Sequence, residues 1–246
     1  MKVQDSVGIV TGCASGIGRA TAIALAEAGA RAVVLADVLD VSETASAVSK
    51  AGAEVLAVPT DVSDLSSLTE LFAKTDAAFG QLNFLHNNAG MGEAEHVWPE
   101  VPSERCAKII GVNLTGVVLG TQLALDLMKR SGGGVIVNTA SGGAFAPLPP
   151  QAVYVATKAG VVHFTRSCAP IAESHGVRVN CVCPGLVDTP MIYQTGDGER
   201  VADWLKPVQD AVTLLRPEDI ADAVLELIRD DEKIAEVVTV GNKPAA

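Results

Sequence analysis

The chain has 246 residues, enough for one large α/β domain; 48% are apolar but only 4% aromatic, so the core must be built from Ala, Val, Leu and Ile. A net charge of −11 argues against nucleic acid or an anionic membrane surface as partner, since both require a basic face. The opening segment MKVQDSVGIV reads as a first strand rather than a signal peptide, and no uninterrupted apolar run approaches the ~20 residues that span a bilayer. The five cysteines (Cys13, Cys106, Cys168, Cys181, Cys183) are scattered and have no partner pair at zinc spacing. They read as reduced thiols of a cytoplasmic protein, and no metal is expected.

Val7 to Thr11 is an apolar strand that runs into a glycine-rich turn, Thr11-Gly-Cys-Ala-Ser-Gly-Ile-Gly18, and a helix from about Ile17 to Ala28. Strand, glycine turn and helix form the context of a dinucleotide site. Gly12, Gly16 and Gly18 allow a tight turn and close approach to a pyrophosphate, and the helix N-terminus beside Ser15 and Ile17 offers it N–H groups. The spacing is G-x-x-x-G-x-G rather than G-x-G-x-x-G, and alone it is weak evidence. A second strand, Ala32 to Ala36, ends at Asp37, nineteen residues past Gly18. A carboxylate there accepts hydrogen bonds from ribose hydroxyls and repels a 2′-phosphate, which favours NAD over NADP; the alternative is a simple helix cap.

Helices are expected over Val41–Ala51 and Leu65–Phe79, with a third strand over Glu54–Val58. Asp61 and Val62 follow that strand, where a carboxylate and an apolar side chain can flank an adenine. The fourth strand, Leu82 to Asn87, closes in Asn87-Asn88-Ala89-Gly90, small residues that let cofactor and backbone come close. His86 reads as a core histidine, and His96, His163 and His175 form no cluster. Val101–Gly111 and Leu114–Lys129 form one helical region with Asn113 near its middle, where an amide competes for backbone bonds; that makes it either a site for a water or proton path, or an ordinary surface amide.

The stretch from Asn138 to Lys158 organises the rest. An apolar strand ends at Ser141, a proline-stiffened loop follows, and a helix from Tyr154 to about His175 places Tyr154 and Lys158, four positions apart, on one face. A phenol is a poor base at neutral pH, and a nearby ammonium lowers its pKa while a serine hydroxyl holds the substrate oxygen. Tyr-x-x-x-Lys alone is common and usually means one half-buried phenol and one solvated amine; the strand-end serine and the glycine turn give it weight. Val177 to Cys183 is the sixth strand, ended by Pro184-Gly185. Residues 188–211 are irregular and read as a mobile lid with an apolar inner face, or as a plain pair of surface helices. Pro217 to Ile228 is a helix and Glu236 to Val240 the last strand. The alternation implies a doubly wound parallel sheet of about seven strands with helices on both faces, in a single Rossmann-type α/β domain spanning residues 1–246.

Taken in order, the glycine turn 11–18, Asp61-Val62, Asn87-Asn-Ala-Gly90, Asn113, Ser141, Tyr154-x-x-x-Lys158 and Pro184-Gly185 resemble the short-chain dehydrogenase/reductase family over nearly the whole chain. The resemblance implies a catalytic set of Asn113, Ser141, Tyr154 and Lys158: tyrosine as acid/base, serine orienting the substrate, lysine binding the nicotinamide ribose and lowering the tyrosine pKa, asparagine holding a relay water. It also implies that Thr189 and the Val187 backbone face the nicotinamide carboxamide, and that the protein is a homotetramer or dimer built on the helices 114–129 and 154–175. One departure is the C-terminal Val-Gly-Asn-Lys-Pro, where relatives often carry an Asp-Gly-Gly-like segment. The stretches around Ser141 and Lys158 resemble the NAD-dependent 15-hydroxyprostaglandin dehydrogenase group. The expectation is therefore an NAD(H)-dependent enzyme interconverting a secondary alcohol and a ketone on an apolar small molecule. The alternatives are a carbonyl or 3-oxoacyl-thioester reductase and a non-catalytic NAD-binding sensor.

Overall fold

The computed structural model describes residues 1–94 and 96–245. Seven strands form one parallel sheet: β1 (Val7–Thr11), β2 (Ala32–Asp37), β3 (Glu54–Pro59), β4 (Phe84–Asn87), β5 (Gly134–Thr139), β6 (Val177–Pro184) and, after a short β7 (Val212–Thr213), β8 (Val237–Val240), in the order β3-β2-β1-β4-β5-β6-β8. The central strands are continuous apolar runs because helices cover both faces: every residue of β1 and of β6 is buried, whereas edge strand β3 is exposed or half-buried except at Val58. On one face α1 (Gly16–Glu27) and α10 (Pro217–Arg229) pack together over Val10, Val33, Val135 and Val182. On the other, α3 (Leu65–Phe79) and α5 (Gly116–Arg130) cover Ile9, Val34, Leu85 and Ile136.

Strand order reverses between β1 and β4, which pair directly, with Ile9 opposite Leu85. A doubly wound sheet opens its crevice at the carboxyl ends of such strands, and the glycine turn and the Asn88–Gly90 segment meet there. Local signals fix the ends of the covering helices. Asp64 caps α3 through Ser66 N–H at 2.8 Å, and Gly80 ends it with φ 66°. Asp219 reaches back to Arg216 N–H at 2.8 Å to open α10.

Three elements differ from expectation. The helix expected over 154–175 is two helices, α6 (Ala152–Ser167) and α7 (Ile171–His175), because Pro170 has no N–H to continue the ladder. The helical region around Asn113 is continuous from α4 (Ser103–Ile110) to α5, but through a π-turn, Gly111–Thr115, with Asn113 at its centre. As one helix of 28 residues, Ser103–Arg130 is long and apolar enough to cross a membrane by composition alone, although the sequence shows no such run; in this fold α5 lies against the sheet. The C-terminus adds β9 (Lys243–Pro244), paired antiparallel with β7.

Candidate active site

The cofactor cradle is assembled from strand ends. At Gly12, φ is 66°, and a Cβ would stand 2.6 Å from Ala89 Cα, so only glycine lets the β1 turn touch the segment after β4. Gly18 is as tightly held: its Cβ would meet the Gly12 carbonyl oxygen at 2.2 Å. Asn88 locks the turn, its amide donating to the Thr11 and Gly12 carbonyls at 3.0 and 3.1 Å, while the Thr11 hydroxyl accepts from Asn88 and Ala89 N–H. The α1 N-terminus is left uncapped by the Ser15 side chain, so its first N–H groups face the crevice as a pyrophosphate site requires.

Asp37, the last residue of β2, accepts from Ala14 N–H at 2.8 Å and Leu39 N–H at 2.9 Å, which fixes its carboxylate beside the turn. Beside it, Val38 and Leu39 lie exposed. Arg19, which the sequence reading passed over, brings a cation to this end of the crevice, but it is engaged by the Ala14 carbonyl, Thr44 and Glu43. Asp61 is held by Ser63 and by Lys108 at 2.6 Å. Its carboxyl lies below the usual range; burial opposes that shift, and the hydrogen bonds from Lys108 and Ser63 outweigh it. Buried Val62 packs on the π-turn, against Gly116. Across the crevice, Thr189 opens α8 (Pro190–Tyr193), and its methyl group stands 3.0 Å from where a Gly16 Cβ would be. Pro184 ends β6; the Gly185–Leu186 turn is clamped by Asn242, which accepts from Leu186 N–H and donates to its carbonyl, both at 2.7 Å.

The reacting end lies at the tips of β4, β5 and β6. Ser141 lies two residues past the end of β5, accepts from Gly143 N–H at 3.1 Å and is hydrogen-bonded to the Tyr154 phenol. Lys158, one turn along α6, is buried; its ammonium donates to the Thr139 carbonyl at 2.8 Å and lies 5.6 Å from the centre of the Tyr154 ring. Burial pushes the Lys158 pKa down to about 8. The expectation that this ammonium lowers the tyrosine pKa is not met in the protein alone. Burial raises the phenol above its ordinary value, Glu93 and Cys183 add to that, and only the Ser141 hydrogen bond opposes it. Asn113 does not reach out as a free amide: it accepts from Met91 N–H at 2.9 Å and donates to the Met91 carbonyl at 2.8 Å and to Thr157 at 3.1 Å. Its side chain therefore shapes the loop after β4. His86 is buried with Nε2 2.8 Å from Thr139 Oγ1, and desolvation holds its pKa near 3.

Glu93 is the residue that sequence reasoning missed. It is fully buried, yet sits in the irregular loop after β4 with no periodicity to mark it. The available signal was indirect: Gln151 precedes α6 without capping it, so an acceptor had to come from elsewhere.

The fold, the uncapped α1 terminus and the Asp37 carboxylate fixed beside the glycine turn fit a dinucleotide-binding oxidoreductase. The short chain dehydrogenase model matches residues 6–200. The chain is 40% identical over 227 residues to the cis-4-hydroxycyclohexanecarboxylate dehydrogenase of Sinomonas cyclohexanicum, covering 92% of this chain and 90% of that one. It is 35% identical over 245 residues to the bovine (Bos taurus) 15-hydroxyprostaglandin dehydrogenase [NAD(+)], covering 94% and 89%. The crystal structure of levodione reductase superposes with a TM-score of 0.85 at 32% identity, covering 96% of each chain. The protein belongs to the short-chain dehydrogenase/reductase family; it is an NAD-dependent alcohol dehydrogenase/reductase.

Proposed function

We propose that Tyr154 is the acid/base of this enzyme, acting on the hydroxyl or carbonyl of an apolar secondary alcohol or ketone. The observation that carries the assignment is the convergence of the Ser141 hydroxyl, the Tyr154 phenol and the Lys158 ammonium at the mouth of β5, beside a crevice shaped for a dinucleotide. NAD, when bound, supplies the hydride acceptor. The chain does the rest. Ser141 hydrogen-bonds the substrate oxygen, Tyr154 removes its proton in oxidation or returns it in reduction, and Lys158 holds the nicotinamide ribose and favours the phenolate. Burial leaves the phenol a weak acid in the protein alone, so oxidation at neutral pH would draw on the positive charge that bound oxidised NAD would add beside Tyr154 and Lys158. Asn113 keeps the π-turn and the Met91 loop in register, and Thr189 and Val187 flank the nicotinamide. Gly12, Ser15, Gly16, Ile17, Gly18, Asp37, Asp61, Val62, Asn88, Ala89, Gly90, Pro184 and Gly185 complete the cofactor site.

Residues 188–211, with α8 and α9 (Lys206–Asp210), act as the lid; buried Ile192 and Leu205 supply an apolar inner face. A secondary alcohol fits the names of the relatives, a dehydrogenase of a hydroxycyclohexanecarboxylate and one of a hydroxyprostaglandin. Homo-oligomers, tetramer or dimer, form through α5 and α6. Only 39% of the most apolar stretch of the Ser103–Arg130 helix is buried within one chain, and Phe145 is exposed beside Val155 and Ala156 of α6. The unpaired cysteines suit a reducing, cytoplasmic compartment. The decisive experiment is NADH formation from NAD with steroid, fatty, aryl, alicyclic and small polyol secondary alcohols. Tyr154→Phe should lose at least about a thousandfold in kcat while keeping NAD affinity; retained turnover removes Tyr154 from the role.

A further inference from the structure

We propose that Glu93 is the positioning residue of the acid/base tyrosine: its buried carboxylate fixes the first turn of α6 and places an acidic group against the backbone of Tyr154 itself. The inference rests on Tyr154 being the proton-transfer group. Glu93 comes from the loop after β4, about sixty positions away from the helix it serves. One oxygen, Oε1, accepts from Val153 N–H at 2.8 Å and from Tyr154 N–H at 3.1 Å. Those groups belong to the unsatisfied first turn of α6, whose positive dipole end favours an anion there. The Gln151 side chain, at the capping position, turns the other way and accepts from Glu93 N–H at 3.2 Å. Helix and loop thus exchange acceptors, a capping box made between two distant segments.

The loop is built to hold that carboxylate still. Arg105 on α4 donates twice to the Gly92 carbonyl, at 3.2 and 2.7 Å. A Cβ at Gly92 would stand 2.8 Å from the side-chain amide oxygen of Gln151, the atom that accepts from Glu93 N–H, and Ala94 is held at a φ of 62°. Trp98 N–H joins the Pro150 carbonyl at 3.3 Å, tying the same loop to the approach of α6. Tyr154 therefore receives its main-chain position from Glu93, not from its own helix alone.

The charge matters separately from the clamp. Facing the phenol are Lys158 from α6, Cys183 from β6, the Ser141 hydroxyl from the turn after β5, and Glu93. Around Glu93 lie the α6 N-terminus, Gln151 and, on the Gly92 carbonyl, Arg105. Its second oxygen, Oε2, is buried and has no hydrogen-bond donor among the described residues. A carboxylate at this place disfavours a second anion on Tyr154, in the same direction as burial does.

The chain contains only two tyrosines, Tyr154 and Tyr193, which makes a direct test possible. In a Tyr193→Phe background, near-ultraviolet absorbance reports ionisation of Tyr154 alone, with far-ultraviolet circular dichroism checking that the fold persists. Adding Glu93→Gln should raise the Tyr154 ionisation constant roughly threefold or more; Glu93→Asp should leave it within a factor of about two. With Tyr193 intact, and with the alcohol found active in the panel above, Glu93→Asp should lower kcat roughly tenfold through loss of alignment, with the pH profile in place. Glu93→Gln should move the acidic limb of kcat to lower pH. An unchanged Tyr154 ionisation in Glu93→Gln, or wild-type kcat in Glu93→Asp, overturns the proposal. Should no alcohol turn over even with the unmodified protein, the catalytic reading fails, while the tyrosine titration still decides whether Glu93 acts on the phenol.

Discussion

Lys158 shows what the reacting end asks of a single residue. Its ammonium is buried, and its pKa falls from 10.5 to about 8 because burial penalises the charged form. The folded pKa lies below the unfolded one, so below pH 8 both states hold the proton and the folded state bears the full cost of burying it, roughly 3 kcal/mol. Between pH 8 and 10.5 the unfolded chain binds more protons than the folded one, and stability rises. Lys158→Met removes that cost but orphans the Thr139 carbonyl, an offset of ~1–3 kcal/mol. We expect the variant to be inactive yet as heat-stable as the wild type at pH 7, and to fall behind it progressively as pH approaches 10. Melting curves across that range check this, and a constant difference in Tm contradicts it. The Tyr154–Lys158 spacing was legible in the sequence because helical periodicity fixes it. The direction of the Tyr154 shift was not, because it depends on how β5, β6 and the Glu93 loop enclose the phenol.

Among the elements, those that follow local signals were readable and those that depend on remote partners were not. Pro217 with Asp219, and Asp64 with Gly80, mark helix ends in the sequence. Asn242 is different. It stands where the sequence departs from the family pattern, yet its amide makes both Leu186 hydrogen bonds at 2.7 Å and donates to the Thr213 carbonyl at 3.0 Å. Through it the C-terminal segment braces the turn that leads to Val187 and Thr189. Asn242→Ala should destabilise the protein by about 1–3 kcal/mol and raise the KM for NAD several-fold with a smaller change in kcat. Thermal unfolding with and without NAD, alongside steady-state kinetics, measures both; an unaltered KM would show that the turn holds its shape alone. The π-turn at Asn113 belongs to the same class. An asparagine inside a helical run announces an irregularity, but only its contacts with Met91 and Thr157 tell what the irregularity is for.

At the scale of the whole molecule, the crossing between β1 and β4 brings His86, Thr139, Asn88 and the glycine turn into one buried polar network beneath the crevice. His86 holds its pKa near 3 against 6.5 in an exposed chain, chiefly because burial excludes the charged ring and secondly because Lys158 is near. Here too the folded pKa is depressed. The stability is fully present above pH 6.5 and is lost as pH falls toward 3, by on the order of 4 kcal/mol. The wild type should therefore lose Tm more steeply between pH 6.5 and 4 than His86→Gln, and parallel slopes would assign the acid sensitivity to carboxylates elsewhere.

By itself the sequence determined the alternation of apolar strands with helices, the glycine turn, the acidic residue that ends β2, and the spacing of Ser141, Tyr154 and Lys158. Each is written in spacing and residue type within a short window, where backbone geometry converts order into position. The tertiary structure decided which side chains enclose the phenol, that Glu93 clamps α6, that Asn113 and Asn242 brace loops, and how burial sets each pKa. Those outcomes come from segments tens or more residues apart meeting at strand ends, and desolvation and long-range hydrogen bonds exist only once they have met.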